Sequence, residues 1–303
     1  MSMLRRPVAL VAVAAVVGGF ALDHPDPAST LPPPQRVAVL VLENRSFEQV
    51  IGNPQAPFLN RLARRYALAT NYFAVGHRSL PNYIALTGGD TNGISDNCTR
   101  CDTEQPNLLN QLDAAHVSWR AYFEGLRPDA KLVRRTFRYN PHYDPFGYYE
   151  RVEGSDRARD RIGSFAALRH DLANGGLRRF SWIAPDVFHD GHNASLGAAD
   201  AYVSHLVPRL LRALGPRGVL YITWDEAPNS DLRGVGGLPG GGRVPLIAVG
   251  GAALRHTRDT TVANHYALLK TIETQLRVPL LRNAALPSTP LLGGLLKTGA
   301  HES

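Results

Sequence analysis

Lysine and cysteine are nearly missing from this 303-residue chain, and so are long runs of like charge. Lysine occurs only at Lys131, Lys270 and Lys297, so all but three of the 33 basic residues are arginine. No basic tract is longer than a pair, which speaks against a nucleic-acid partner despite the net charge of +7. That charge reads instead as attraction to anionic substrates or surfaces. Beyond the N-terminus no apolar run reaches membrane-spanning length. There is no internal repeat, no G-x-S-x-G elbow, no P-loop and no G-x-G-x-x-G after a strand, and the missing elbow counts against an ordinary lipase-type hydrolase. What is present is a 44% hydrophobic, 19% charged composition, enough for a packed core and against wholesale disorder. Gly (28) and Pro (22) are plentiful, as in a loop-rich globular enzyme.

Arg5 and Arg6 precede an apolar stretch from Val8 to Leu22, and Asp23 breaks it. Basic, then apolar, then polar is the layout of a secretory signal peptide, with an uncleaved anchor as the alternative. Residues 1–22 are therefore expected to export the protein to the medium or cell envelope. Residues 23–36 read as a Pro-rich linker, and a catalytic domain is expected over 37–303. In an exported protein, Cys98 and Cys101 are expected to close a small disulfide loop.

From Val37 onward, strands alternate with helices. VAVLVLE (37–43), a strand within VSWRAYFE (117–124), RRFSWIAPD (178–186), GVLYITWDE (218–226) and VPLIAVG (244–250) read as strands. Helical spacing covers 57–69, a segment starting just after Ser79, 107–115, 198–214 and 263–276. Residues 126–160 look like an excursion from the core, and GVGGLPGGGR (234–243) like a flexible loop. The alternation predicts an α/β fold with a mostly parallel sheet.

In such sheets, ligands bind at the carboxyl ends of the strands. Glu43 and Asn44 follow the first strand and offer hard oxygen ligands, or else a turn with a helix cap. Ser79, in GHRSLPNY, is placed to cap a helix with Pro81 in its first turn; there its hydroxyl would meet unpaired backbone N–H groups. Asp225 and Glu226 end another strand, and two adjacent carboxylates repel unless a cation sits between them. PDVFHDGHN adds Asp186, His189, Asp190 and His192, a density of ligand types typical of metal sites. His265 stands at a helix start, where a cap or a core histidine is the plainer reading.

The runs V-L-E-N-R-S-F (41–47), H-R-S-L-P-N-Y-I-A-L-T-G-G (77–89), H-D-G-H (189–192) and T-W-D-E (223–226) occur in a familiar order. The chain resembles the bacterial phosphoesterase family of secreted acid phosphatases and phospholipases C. It is most like the short, mycobacterial-type secreted acid phosphatases that act on phosphoinositides. The S-L-P-N-Y-I-A-L-T-G run is also similar to the nucleophile run of nucleotide pyrophosphatases. The resemblance implies an alkaline-phosphatase-like sandwich around a central sheet flanked by helices.

It further implies that Glu43, Asn44, Asp225 and Glu226 hold a divalent metal ion and that Ser79 is the nucleophile. Asn82 and Arg78 would hold phosphoryl oxygens, and His77 would line the phosphate pocket. Asp190, His192 and His265 would surround a second metal or the leaving group, with Asp186 and His189 as alternatives to Asp190 and His192. Alkaline phosphatases proper use Asp–His where this chain has Asp225–Glu226, and Asp where it has Glu43. An all-oxygen first site favours Ca²⁺, Mg²⁺ or Mn²⁺ over zinc.

The implied reaction is hydrolysis of phosphate monoesters through a phosphoserine, on a phosphorylated small molecule or lipid headgroup. A catalytic histidine, His192 or His265, would serve the leaving group, and its reference pKa of about 6.5 would give an acidic optimum. Peripheral membrane contact stays open. The runner-up is a phospholipase C, which in this family usually carries extra C-terminal β domains. A sulfatase is disfavoured because C-x-P-x-R is absent. A non-catalytic secreted binding protein is the remaining alternative.

Overall fold

The computed structural model describes residues 33–127 and 136–298. The leader at 1–22 and the linker up to residue 32 lie outside the described residues. In chain order the strands are β1 (Val37–Leu42), β2 (Ala67–Ala69), β3 (Tyr72–Phe73), β4 (Trp119–Phe123), β5 (Ile162–Ser164), β6 (Phe180–Ala184), β7 (Val219–Trp224), β8 (Leu246–Gly250), β9 (Thr257–Asp259) and β10 (Ala263–Asn264). The helices are α1 (Phe47–Val50), α2 (Pro57–Arg65), α3 (Ser79–Gly88), α4 (Leu108–Ala114), α5 (Glu150–Glu153), α6 (Asp156–Arg159), α7 (Phe165–Ala173), α8 (Leu196–Leu214) and α9 (His265–Leu276).

Every residue of β1 and β7 is buried, as continuous apolar runs require of central strands. They sit in the middle of an eight-stranded sheet of order β5-β4-β6-β1-β7-β8-β2-β9. All its neighbouring pairs are parallel except those made by β8, which runs antiparallel to β7 and β2. β3 and β10 form a separate two-stranded ribbon. The expected α/β sandwich with a mostly parallel sheet is what the chain forms. Among the described residues no helix is long and apolar enough to cross a membrane.

Three local expectations need correction. The helix expected over 57–69 stops at Arg65, and Ala67–Ala69 become β2 between β8 and β9. Ala-Leu-Ala favours helix, but propensity is a weak force beside tertiary pairing, and here the pairing with β8 and β9 wins. The supposed excursion at 126–160 contributes to the core over 139–152: Tyr139, Tyr143, Phe146, Tyr148, Tyr149 and Val152 are all buried, although Phe137 is exposed. Phe146 packs edge-on against Trp182 of β6 and Phe123 of β4. Aromatics in irregular backbone have no period, so sequence patterning misses them.

The loop at 234–243 is pinned at its far end. Gly241 donates its N–H to Ala74 O (3.1 Å), and Ala74 donates to Gly242 O (3.0 Å). A Cβ on Gly241 would stand 2.0 Å from Gly76 O, so the two backbones approach as only glycine allows.

Cys98 and Cys101 are disulfide-bonded. Replacing both with serine should cost less than the ~3 kcal/mol expected for a 15-residue loop and spare activity at low temperature. Thermal denaturation and assay of the double variant check this; a folded but dead variant would put the pair in the site.

Glu273 of α9 is buried, and its Oε2 has no partner among the described residues. Burial pushes its pKa up to about 9. A raised native pKa makes the neutral acid a stabilising form, complete below the unfolded value and lost as pH rises toward about 9. Glu273→Gln should therefore raise the melting temperature at about pH 8 and change it little near pH 4. An equal effect at both pH values would contradict this.

Candidate active site

Because β4, β6, β1 and β7 are adjacent and parallel, their carboxyl ends share one edge of the sheet. Leu42 pairs with Trp224, so the next residues, Glu43 and Asp225, emerge side by side. Backbone bonds extend the alignment: Asp225 N donates to Leu42 O and Glu43 N to Asp190 O, both at 3.0 Å. Asn44 turns the chain in the left-handed region (φ 55°), which Asn tolerates, and donates its N–H to Asp225 Oδ1 at 3.0 Å.

Ser79 faces these acids. Its hydroxyl donates to Glu43 Oε2 at 3.1 Å and lies 3.5 Å from Glu226 Oε1. Glu43 also accepts from Tyr83 Oη (2.6 Å) and Asn44 Nδ2 (2.9 Å). Ser79 is not the N-cap that its motif suggested. Arg78 takes that place with φ 86° and no side-chain cap, and Ser79 is the first helical residue. A non-glycine residue in this region stores on the order of 1–3 kcal/mol of strain, typically at functional sites. Arg78 N donates to Glu226 Oε2 (3.2 Å) and Arg78 O accepts from Asn82 (2.9 Å), which holds the strained peptide in place. Leu80 N is met by Asn97 Oδ1 at 2.9 Å, from the residue just before the disulfide-bonded Cys98.

The electrostatics call for a cation. Glu43, Asp190, Asp225 and Glu226 are all buried. Burial, then the charges of Asp225 and Asp190, holds the Glu43 carboxyl well above its ordinary range. Burial lifts Asp190 to about 8 and Asp225 to about 7, the latter helped by Glu226. Asp190 Oδ2 and Asp225 Oδ2 are buried without a hydrogen-bond partner among the described residues. Orphaned, buried carboxylate oxygens beside an amide and a hydroxyl are the donor set of a hard divalent ion.

A second cluster lies at the ends of β4 and β6. Glu124, Asp186 and His189 bring ligand-type atoms within 4.8 Å of one another and could hold a metal ion. His189 Nδ1 already spans Glu124 (2.8 Å) and Asp186 (3.2 Å), and Arg138 pairs with Asp186. This cluster has the guanidinium of Arg138 for its charge partner, whereas the Ser79 hydroxyl lies on Glu43, in the cluster that holds the unpartnered oxygens of Asp190 and Asp225.

Two assigned roles change. Asn82 spends its whole amide on the preceding loop: Oδ1 accepts from Val75 N and Gly76 N, and Nδ2 donates to Gly76 O and Arg78 O. It clamps the loop that leads into Ser79 and has no capacity left for a phosphoryl oxygen. His265 is fully buried, its Nε2 on Asp225 O (2.6 Å) and its Nδ1 on Tyr72 Oη (2.8 Å). A carbonyl only accepts, so Nε2 carries the proton and Nδ1 accepts from Tyr72. Burial lowers its pKa to about 4. It braces the Asp225 backbone as a neutral ring and cannot protonate a leaving group.

His77 is similarly engaged. Nε2 donates to Asp231 O (2.9 Å), and Nδ1 shares a proton with Glu226 Oε2 at 2.6 Å. His192 is exposed, with Nδ1 on Asn193 Oδ1 (2.7 Å) and its backbone N–H on Asp190 Oδ1 (2.7 Å). The Arg78 side chain is half-exposed and pairs loosely with Asp96 (3.4 Å). Glu124, Tyr83 and Tyr143 were given no role from sequence; Glu124 had a signal as the acid ending a predicted strand and Tyr83 as a member of the 77–89 run, and Tyr143 had none.

A family model described as "Phosphoesterase family" matches residues 53–279. A phosphatidylinositol-3-phosphatase of Mycobacterium tuberculosis is 30% identical over 254 residues, covering 83% of this chain and 80% of that one. The chain belongs to the phosphoesterase family. A phosphate-repressible acid phosphatase of Penicillium chrysogenum is 28% identical over 253 residues, and the match spans 79% of this phosphoesterase but 58% of the fungal protein. The fold is shared with an alkaline phosphatase superfamily protein from Vibrio parahaemolyticus (TM-score 0.60, 13% identity, 86% of this chain and 72% of that one). It is shared also with a lipoteichoic acid synthase from Listeria monocytogenes (TM-score 0.58, 10% identity, 84% and 76%). The phosphoesterase is an enzyme, a phosphoric ester hydrolase.

Proposed function

We propose that this phosphoesterase is an exported, metal-assisted phosphatase that hydrolyses phosphate monoesters through a phosphoserine at Ser79, with its catalytic domain running from Val37. The observation that carries the reading is Ser79 Oγ at a helix start, against Glu43 and Glu226, beside the orphaned oxygens of Asp190 and Asp225. Glu43, Asn44, Asp225 and Glu226, with Asp190 beside them, would hold a divalent ion, and their all-oxygen character favours Ca²⁺, Mg²⁺ or Mn²⁺. When bound, the ion supplies charge neutralisation and a lowered pKa for a nearby hydroxyl.

The chain's own residues do the rest. The hydrogen bond to Glu43 orients Ser79 Oγ for in-line attack. As Oγ attacks, its proton passes to Glu43 Oε2, which already accepts it in a hydrogen bond; the Oγ–P bond forms as the ester P–O bond breaks, and the alcohol leaves with a proton from His192, whose ring reaches solvent. Water then attacks phosphorus and gives a proton to His192, the Oγ–P bond breaks, and Ser79 takes its proton back from Glu43 as phosphate leaves. The Arg78 side chain and the backbone N–H of Ser79, at the start of α3, neutralise the phosphoryl oxygens.

The substrate class is a phosphorylated small molecule or a phosphoinositide headgroup, as the name of the mycobacterial relative suggests. An aryl phosphate monoester, a phosphoinositide, an aryl phosphodiester and phosphatidylcholine, each assayed with and without EDTA, test this. Monoester turnover abolished by EDTA and restored by a divalent cation is expected. Preference for phosphatidylcholine would make the enzyme a phospholipase C, and EDTA-resistant turnover would remove the metal.

A further inference from the structure

Tyr143 lies in the segment that sequence patterning set apart from the core, and none of the roles above uses it. It follows Asn140, whose side chain caps the short turn Pro141–Tyr143. Its ring stacks on Tyr83 at 5.9 Å and 21°, and Tyr83 is the residue whose hydroxyl grips Glu43. The ring of His192 is 6.5 Å away on another side. Tyr143 is thus wedged between the helix that bears the nucleophile and the loop that bears the expected leaving-group acid.

Its hydroxyl is the unusual part. Tyr143 is 3% exposed, yet its Oη has no partner at hydrogen-bonding distance among the described residues. The side chain of Asn140 interacts with the hydroxyl and lowers its pKa but lies outside hydrogen-bonding geometry. The acids that act on it most are Glu43 and Asp190, then Asp225. A buried, unpartnered donor thus belongs to the same cluster as two buried acceptors, Asp190 Oδ2 and Asp225 Oδ2, that also lack partners. Leaving such groups unpaired costs about 1–3 kcal/mol each, a cost usually met at sites that a ligand completes. A cation would satisfy the acceptors; the donor needs an anionic oxygen.

We propose that Tyr143 is a substrate-contacting residue whose phenolic O–H donates to a phosphoryl oxygen of the bound monoester. This rests on the phosphatase reading above and adds to it a ligand contact from outside the four sequence motifs. The phenol is a donor and not a general acid here: burial and the neighbouring carboxylates push its pKa far above the ordinary value, so the proton stays on Oη. The bond to a charged oxygen forms in the ground state and in attack alike, so its loss should appear in product-phosphate affinity as well as in turnover.

Tyr143→Phe keeps the ring, the stack on Tyr83 and the packing, and removes only the hydroxyl. kcat/KM for an aryl phosphate monoester should fall about 10- to 100-fold, the loss that goes with a hydrogen bond to a charged group. Binding of inorganic phosphate, measured by calorimetry with Mn²⁺ present, should weaken by a similar factor. The melting temperature of the phosphate-free protein should stay the same or rise, because the hydroxyl has no partner to lose. Unchanged kcat/KM and phosphate affinity would overturn the proposal. So would a lowered melting temperature, which would mean that the hydroxyl supports the fold. If the wild type turned over no monoester, the phosphatase reading would fail, while phosphate binding by the two proteins would still decide whether Tyr143 touches the anion.

Discussion

Ser79→Ala should abolish phosphate-monoester turnover, by about 10⁴–10⁶-fold, as when other hydrolases lose their nucleophile. The reason is geometric. Among the groups at the carboxyl edge, Ser79 Oγ alone is a neutral hydroxyl on a helix start held against two buried carboxylates. The strained Arg78 peptide and the Asn82 clamp fix its position, and neither depends on the Ser79 side chain. The alanine variant should therefore fold with an unchanged melting temperature and still respond to divalent cations. Assay, thermal denaturation and cation titration of the one protein check all three parts. Turnover near the wild-type rate would remove Ser79 from the chemistry.

Withdrawing the divalent ion should have the second large effect, with a definite pH dependence. In the metal-free protein, Glu43, Asp190 and Asp225 hold protons more tightly than in the unfolded chain, Asp225 to about 7 and Asp190 to about 8. Raised native carboxyl pKa values make stability greatest on the acid side and erode it as pH rises through those values. A cation replaces the protons, so it should raise the melting temperature far more at about pH 8 than at about pH 5, with proton release on binding. At a hundredfold excess over its dissociation constant, the ion adds about 2.7 kcal/mol. Asp225→Ala should lose most of this response and have low activity that rising cation concentration partly restores. Melting curves in EDTA and in Mn²⁺ at the two pH values are the check. A cation effect equal at both, or unchanged in Asp225→Ala, would place the ion elsewhere, with Glu124, Asp186 and His189 the first place to look.

Glu43, Asp225 and Glu226 were legible because buried strands announce themselves, and a polar residue directly after one has to stand at the ligand-binding edge. That β8 runs antiparallel was not legible: an apolar run has no direction. The roles of Asn82 and His265 were misassigned for a common reason. Both stand within the right motifs, but whether an amide or imidazole is free for substrate depends on backbone groups that the fold sets against it, the irregular loop Val75–Arg78 just before it for Asn82 and the sequence-distant Asp225 O for His265. Tyr143 and Glu124 were passed over because their importance comes from where the tertiary fold sets them, above Tyr83 in one case and beside β6 in the other.

The central claim is a covalent phosphoserine at Ser79. Incubating the wild-type enzyme with a ³²P-labelled monoester, quenching in acid and mapping the label by mass spectrometry tests it most directly. The account predicts one phosphate, on the peptide containing Ser79, absent from Ser79→Ala. Label on His192 or another histidine, or rapid turnover with no trapped phosphate at any pH, would contradict it.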